Sequence, residues 1–163
     1  MNELGINRYD RTCVKFAEEK EARTGQPSVC IELNDGTIVT GRQTKLLSAP
    51  ASAVLNALKQ VSGIEDKFEL ISRQVLEPID NLKKEVLSAK DYVLSLRDVL
   101  IALSISAGLN PIAKVAYENI SALRGCEAHS THILSATNED TIRRLGINMT
   151  CGANFTTKNL FDA

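Results

Sequence analysis

Ser28-Val29-Cys30-Ile31-Glu32-Leu33-Asn34-Asp35-Gly36-Thr37-Ile38-Val39-Thr40 is the stretch whose reading decides the fold class. Val29, Ile31 and Leu33 recur at every second position, the period of a strand with one buried face. Asn34-Asp35-Gly36 then supplies a turn: Asn and Asp side chains bond their own backbone, and Gly accepts positive φ without steric cost. Thr37-Ile38-Val39-Thr40 is β-branched throughout, which suits a pleated strand. The sequence therefore opens its sheet with a β-hairpin.

Upstream, residues 9–24 read as a charged helix with Tyr9, Cys13, Phe16 and Ala17 on one face, stopped by Gly25, Gln26 and Pro27. Downstream, Gly41 to Leu47 reads as a loop. Ser48 is a candidate N-cap with Pro50 in the first turn. The helix it opens carries Val54, Leu55, Leu58 and Val61 and ends near Gly63. Phe68 to Ile71 reads as a short strand. Pro78 implies either a helix starting near Glu77 or a longer one kinked there, with Leu82, Val86 and Leu87 continuing its apolar face.

Ser95-Leu96-Arg97-Asp98 has the form of a capping box, with Asp in the place of the usual Glu. The helix behind it, 96–107, is apolar almost all round and so predicts burial by its own domain or by a partner subunit. Gly108 ends it, and Asn110-Pro111 starts the next helix, which runs to about Leu123 and is closed by Arg124-Gly125. Cys126 to Ser135 reads as a strand, followed by a turn at Asn138, a short helix to Leu145, Gly146, and a last strand over Ile147 to Cys151. Helices alternate with strands after residue 48, which predicts an α/β body over 48–163. Residues 1–47 form a helix and β-hairpin subdomain.

The 163 residues are 44% hydrophobic and 24% charged, enough apolar surface to offset chain entropy and exclude disorder. Nineteen Lys and Arg face twenty Asp and Glu, a net charge of −1. No basic field exists to hold nucleic acid or a membrane surface. Aromatic residues make up 4% and Trp is absent, so stacking platforms for bases are scarce. The longest apolar run, Val99 to Leu109, is too short to span a bilayer. Cys13, Cys30, Cys126 and Cys151 contain no CxxC pair and read as reduced thiols of a cytoplasmic protein; the N-terminal residues lack a signal-peptide pattern.

The common phosphate-cradling glycine motifs are absent, as are His-Glu-x-x-His, the zinc-deaminase pattern and the Gly-x-Ser-x-Gly elbow. One stretch is chemically dense: Gly125-Cys126-Glu127-Ala128-His129-Ser130-Thr131-His132, which holds both histidines of the chain. A catalytic reading places Glu127 and His129 on one strand face, the carboxylate raising and orienting the imidazole, with Ser130 as a further candidate. Thr131 continues the Glu127 face as a binding candidate, while Ser130 lies opposite. A metal reading would take Cys126, His129, His132 and Cys151, but strand alternation sends neighbours in that set to opposite faces. The bland alternative is that these groups satisfy one another and nearby helix ends. Ser106 and Asn110, with Ser104, are candidates to line an anion-binding pocket at the Asn110-Pro111 helix start; equally, Asn110 caps its helix and the serines bond back to theirs.

Several motifs in order resemble a bacterial family, domain of unknown function 1846. They are Glu32 to Gly41, Leu55-Asn56-Ala57-Leu58-Lys59, Val75-Leu76-Glu77-Pro78-Ile79, Val99 to Ala107 with Asn110-Pro111, Leu123 to Thr131, and Leu145 to Cys151. The resemblance implies a three-layer α/β sandwich, with a topology grouped with that of cytidine deaminases. It also implies that the chain is the C-terminal portion of longer proteins, whose N-terminal part carries a Gly-Ser-Gly-Lys segment suggestive of nucleotide binding. Three places depart from the family pattern. Thr150-Cys151-Gly152-Ala153 stands where Thr-Cys-Glu-Pro is usual, His132 stands where an aliphatic residue is usual, and Ala89 to Ser95 differs from an Asn-Pro-containing loop.

Three functions follow as expectations. The first is a non-catalytic assembly or regulatory module of a larger nucleotide-binding protein, partnered by further copies or by the missing N-terminal portion. The second is the half-site of an enzyme in which His129 is general base and Glu127 orients it on a small polar substrate. The third is a metal-binding module. No cofactor is assigned by the sequence.

Overall fold

The structure is a computed structural model that describes residues 3–87 and 93–154, with side chains from 12 to 152 within those spans. The chain runs α1 (Glu3–Thr24), β1 (Ser28–Glu32), β2 (Ile38–Arg42), α2 (Ala49–Ser62), α3 (Arg73–Asn81), a π-helical segment (Leu82–Val86) and α4 (Leu96–Ala107). It continues through α5 (Pro111–Glu118), a 3₁₀ turn (Ile120–Leu123), β3 (Glu127–His132), α6 (Ala136–Leu145) and β4 (Asn148–Asn154).

The hairpin forms as the sequence predicts. Ser28 to Glu32 pair antiparallel with Arg42 to Ile38. Gly36 takes φ 90°, and Asp35 Oδ1 accepts the Thr37 N–H at 2.9 Å. The second strand extends through Gly41 and Arg42, which the sequence places in a loop. Gly is required at 41 because α2 crosses there: a Cβ would lie 2.3 Å from the backbone nitrogen of Ala53.

A four-stranded mixed sheet results, ordered β2-β1-β3-β4. β1 is antiparallel to both neighbours, and β3 is parallel to β4 through the α6 crossover. The hairpin of the 1–47 segment thus shares its sheet with β3 and β4. Helix α1 covers one face; α2, α4, α5 and α6 form the layer on the other, giving the α/β architecture in three layers. Between sheet and helical layer lies the main core, including Val29, Ile31, Val54, Leu58, Leu96, Val99, Leu103 and Ile142. Among the described residues the α1 face buries a smaller cluster: Cys13, Ala17 and Cys30, with Ile38 packed against them. Phe16, expected on the buried stripe of this helix, is 39% exposed; among the described residues of α1, Cys13 and Ala17 are the ones buried against the sheet.

Both predicted caps are present. Ser48 Oγ accepts the Ala51 N–H at 3.4 Å, and α2 ends on Gly63 at φ 69°. At α4 the box is reciprocal: Ser95 Oγ accepts from Asp98 N at 3.2 Å and Asp98 Oδ2 accepts from Ser95 N at 3.0 Å. Just before these caps, Leu94 N–H donates to Leu46 O at 2.8 Å and Ser48 N–H to Leu94 O at 3.0 Å, clamping the two helix entries side by side.

Other expectations give way. Phe68 to Ile71 is bend and irregular backbone that pairs with no strand of the sheet, and Leu70 and Ile71 are both buried in the main core from it. Of the two readings at Pro78, the longer helix holds: α3 begins after Ser72, runs through Pro78 and widens into the π segment. Leu82, Val86 and Leu87 do not continue a buried face; they are exposed. Asn138 lies inside α6, which starts after Ser135; its Oδ1 accepts the buried Leu96 N–H at 2.8 Å and ties α6 to α4. β3 stops at His132, and the helix after Asn110 stops at Glu118 before the 3₁₀ turn. Part of the divergent Ala89–Ser95 segment, residues 89–92, lies outside the described residues, as does the tail from 155.

Candidate functional site

β3 carries most of the candidate residues, and its pairing decides where each points. Cys30 of β1 is opposite His129, and Glu32 is opposite Glu127. Paired residues share a face. Glu127, His129 and Thr131 therefore lie on the α1 side with Cys30, while Ala128 and Ser130 lie on the core side. The same-face reading of Glu127 and His129 agrees with this geometry, and the structure does not bring Ser130 to His129.

The polar groups of β3 spend their hydrogen bonds on the sheet. His129 is 6% exposed, and its Nδ1 lies 2.7 Å from Thr150 Oγ1 on β4. Glu127 Oε1 accepts from Asn148 Nδ2 at 3.4 Å. Thr131 Oγ1 accepts the Ser28 backbone N–H at 3.0 Å. Ser130 donates to the His132 carbonyl at 2.6 Å. His132 Nε2 pairs with Glu21 Oε2 on α1. Burial first, and then the charge of Glu127 opposite, hold the Glu32 carboxyl above its usual range.

The residues of the metal reading are spread. Cys126 sits in the main core, with its thiol raised chiefly by burial. His129 is on the α1 face, His132 is against Glu21, and Cys151 is exposed on β4. Among the described residues no group of three His, Cys, Asp or Glu is arranged to hold a metal ion.

Ser106 and Asn110 belong to the helical layer, with the sheet between them and His129. Asn110 Oδ1 accepts the Ile112 N–H at 2.9 Å, so the cap itself uses the first free donor of α5. Ser104 bonds back to Ile101 O at 2.6 Å. Ser106 is buried and its Oγ has no partner among the described residues.

Two further features lie outside the β3 cluster. Cys13 and Cys30, one on a helix and one on a strand, place their sulfurs 3.3 Å apart. No spacing rule joins them. The outer side of α4 is also apolar and uncovered: Ile101 is 53% exposed, Ile105 54% and Leu109, just beyond it, 81%. Here a signal existed, because an all-round apolar helix asks for burial on more sides than one layer supplies. No helix among the described residues is long and apolar enough to cross a membrane.

Fold and site together define an α/β domain whose densest polar cluster is knitted into its own sheet. Residues 9–161 match the family described as domain of unknown function DUF1846, C-terminal, and the chain belongs to that family. It is 43% identical over 169 residues to a UPF0371 protein of Clostridium tetani (strain Massachusetts / E88), covering 99% of this chain and 34% of that relative. A UPF0371 protein of Clostridium botulinum (strain ATCC 19397 / Type A) matches with the same identity and coverage. The chain thus spans about a third of the length of these relatives.

Proposed function

We propose that this chain is a non-catalytic assembly or regulatory module of a larger nucleotide-binding protein, docking through the outer faces of α4 and the π-extended α3. The observation that carries the reading is the exposed apolar pair Ile101 and Ile105, four residues apart on one side of α4, with Leu109 exposed in the turn just beyond it. Lys83 Nζ lies 2.7 Å from Asp98 Oδ2, which places the π segment, with its exposed Leu82, Val86 and Leu87, beside the start of α4. Exposed apolar groups clustered on one side of a well-packed domain are what an interaction site presents.

The occupant we infer is the remaining two-thirds of the relatives' length, which in the implied family carries the nucleotide-binding segment. The β3 cluster supports this choice over the enzyme half-site, because Glu127, Ser130 and Thr131 each have a bond within the domain.

The test is sedimentation of this chain, wild type and Ile101→Glu/Ile105→Glu, alone and mixed with the N-terminal portion of the Clostridium tetani relative. The expected result is a complex formed by the wild type and weakened at least tenfold in the variant, with an unchanged circular dichroism spectrum. A wild-type chain that self-associates through this face makes a second copy the occupant. Binding that survives the double substitution removes the face from the interface.

A further inference from the structure

Cys13 and Cys30 meet between α1 and β1. Both are buried, at 1% and 0% exposure, and they are each other's partners: the Cys30 thiol donates to Cys13 Sγ at 3.3 Å. The Cys13 thiol in turn points at the carbonyl oxygens of Cys30 and Glu127, each 3.8 Å away. A disulfide bond is about 2.05 Å long, so the sulfurs need to close by roughly 1.3 Å. Small side chains at the contact, Ala17 and the cysteines themselves, are what let α1 sit this close to the sheet.

We propose that Cys13 and Cys30 form an oxidative modification site, converted by a peroxide into an intramolecular disulfide that staples α1 to β1. Access comes from the weakness of the α1 face. Among the described residues the apolar cluster under this helix is small, joined by the Cys13 contacts to the Cys30 and Glu127 carbonyls and by the Glu21–His132 pair, so α1 lifts from the sheet at lower free energy than α2 or α4. When it lifts, the Cys13 thiol loses its proton to water and its sulfur attacks one peroxide oxygen. The O–O bond breaks, and hydroxide leaves and takes up a proton to become water. Cys13 is now a sulfenic acid. When α1 reseats, the Cys30 sulfur attacks the Cys13 sulfur. The S–S bond forms, the S–O bond breaks, and the departing hydroxide takes the Cys30 proton. Two thiols are oxidised by two electrons, and one hydrogen peroxide is reduced to two waters. Cys30 does not initiate: in the reduced protein its hydrogen bond with Cys13, then burial, hold its thiol far above the ordinary range. The other thiols have separate surroundings, Cys126 in the main core and Cys151 exposed on the sheet edge.

The experiment uses the full chain carrying Cys151→Ser, which removes the exposed competitor. The folded protein is treated with hydrogen peroxide, free thiols are alkylated in denaturant, and tryptic peptides are mapped. The expected product joins the peptide Thr12–Lys15 to the peptide Thr24–Arg42, is reversed by dithiothreitol and is absent from Cys13→Ala. Hydrogen exchange of α1 slows about tenfold or more in the oxidised protein. Recovery of both cysteines alkylated, after a dose that fully oxidises Cys151 in the wild type, overturns the proposal. So does a link that appears only when peroxide is added in urea.

Discussion

The two faces of the sheet are built on different principles. Toward α2, α4, α5 and α6, the strands offer Val29, Ile31 and Ala128 to a continuous apolar layer. Toward α1, the same strands offer Cys30, Glu32, Glu127, His129 and Thr131, and the helix answers with Cys13 and Ala17. Alternation along β1 and β3 puts these two chemistries one residue apart. One face gains its cohesion from area removed from water. The other relies on hydrogen bonds, which contribute only about 0.5–1.5 kcal/mol each on balance. Stability and chemical variety are thereby separated across a single layer of backbone.

The sharpest way to break this contrast is Leu103→Ala. The side chain is fully buried in the main core, and its removal is expected to cost about 2–5 kcal/mol, read as a fall in the urea midpoint with unchanged slope. Cys13→Ala removes the comparable anchor on the α1 face and is expected to cost about 1 kcal/mol, the loss of one small buried group. Equal losses for the two variants would mean that the faces are energetically alike.

The smallest effect tests the like-charged pair across β1 and β3. Glu32 and Glu127 are directly opposite, and the Glu32 pKa is raised in the folded state. A raised carboxyl pKa means that the fold favours the protonated form. The stability it supplies is complete below the unfolded-state pKa and is lost as pH rises through the folded-state value. Glu32→Gln is therefore expected to be more stable than the wild type at neutral pH by about 0.2–1 kcal/mol, with the advantage shrinking on acidification. Urea midpoints measured across the carboxylate titration range check it; a variant no more stable at neutral pH contradicts the pairing.

What the sequence discloses follows the range of the interactions involved. The hairpin, the Ser48 and Ser95 caps and the Gly63 and Gly146 stops were all readable because each is settled within a few residues. Phe68 to Ile71 misleads because its apolar pair plugs the core from an irregular segment, and nothing local distinguishes a plug from a strand. Asn138 has the composition of a turn residue, yet its partner is Leu96, on another helix. At the candidate site, alternation was enough to put Glu127, His129 and Thr131 on one face. Their partners Thr150, Asn148 and Ser28 come from the strand register, which periodicity alone does not fix.

The clamp between Leu46–Ser48 and Leu94 has a consequence for how the fold tolerates changes of length. Between these points the chain leaves the sheet, forms α2 and α3, and returns to the place from which it departed. Such an excursion is a closed ring at its base. Extra residues inserted between α2 and α3 would enlarge the ring without moving either helix entry. Each doubling of a flexible loop costs only about 0.6 kcal/mol in closure entropy. The two helix entries are thus insulated from insertions in the part of this arm that lies outside the core plug of Leu70 and Ile71.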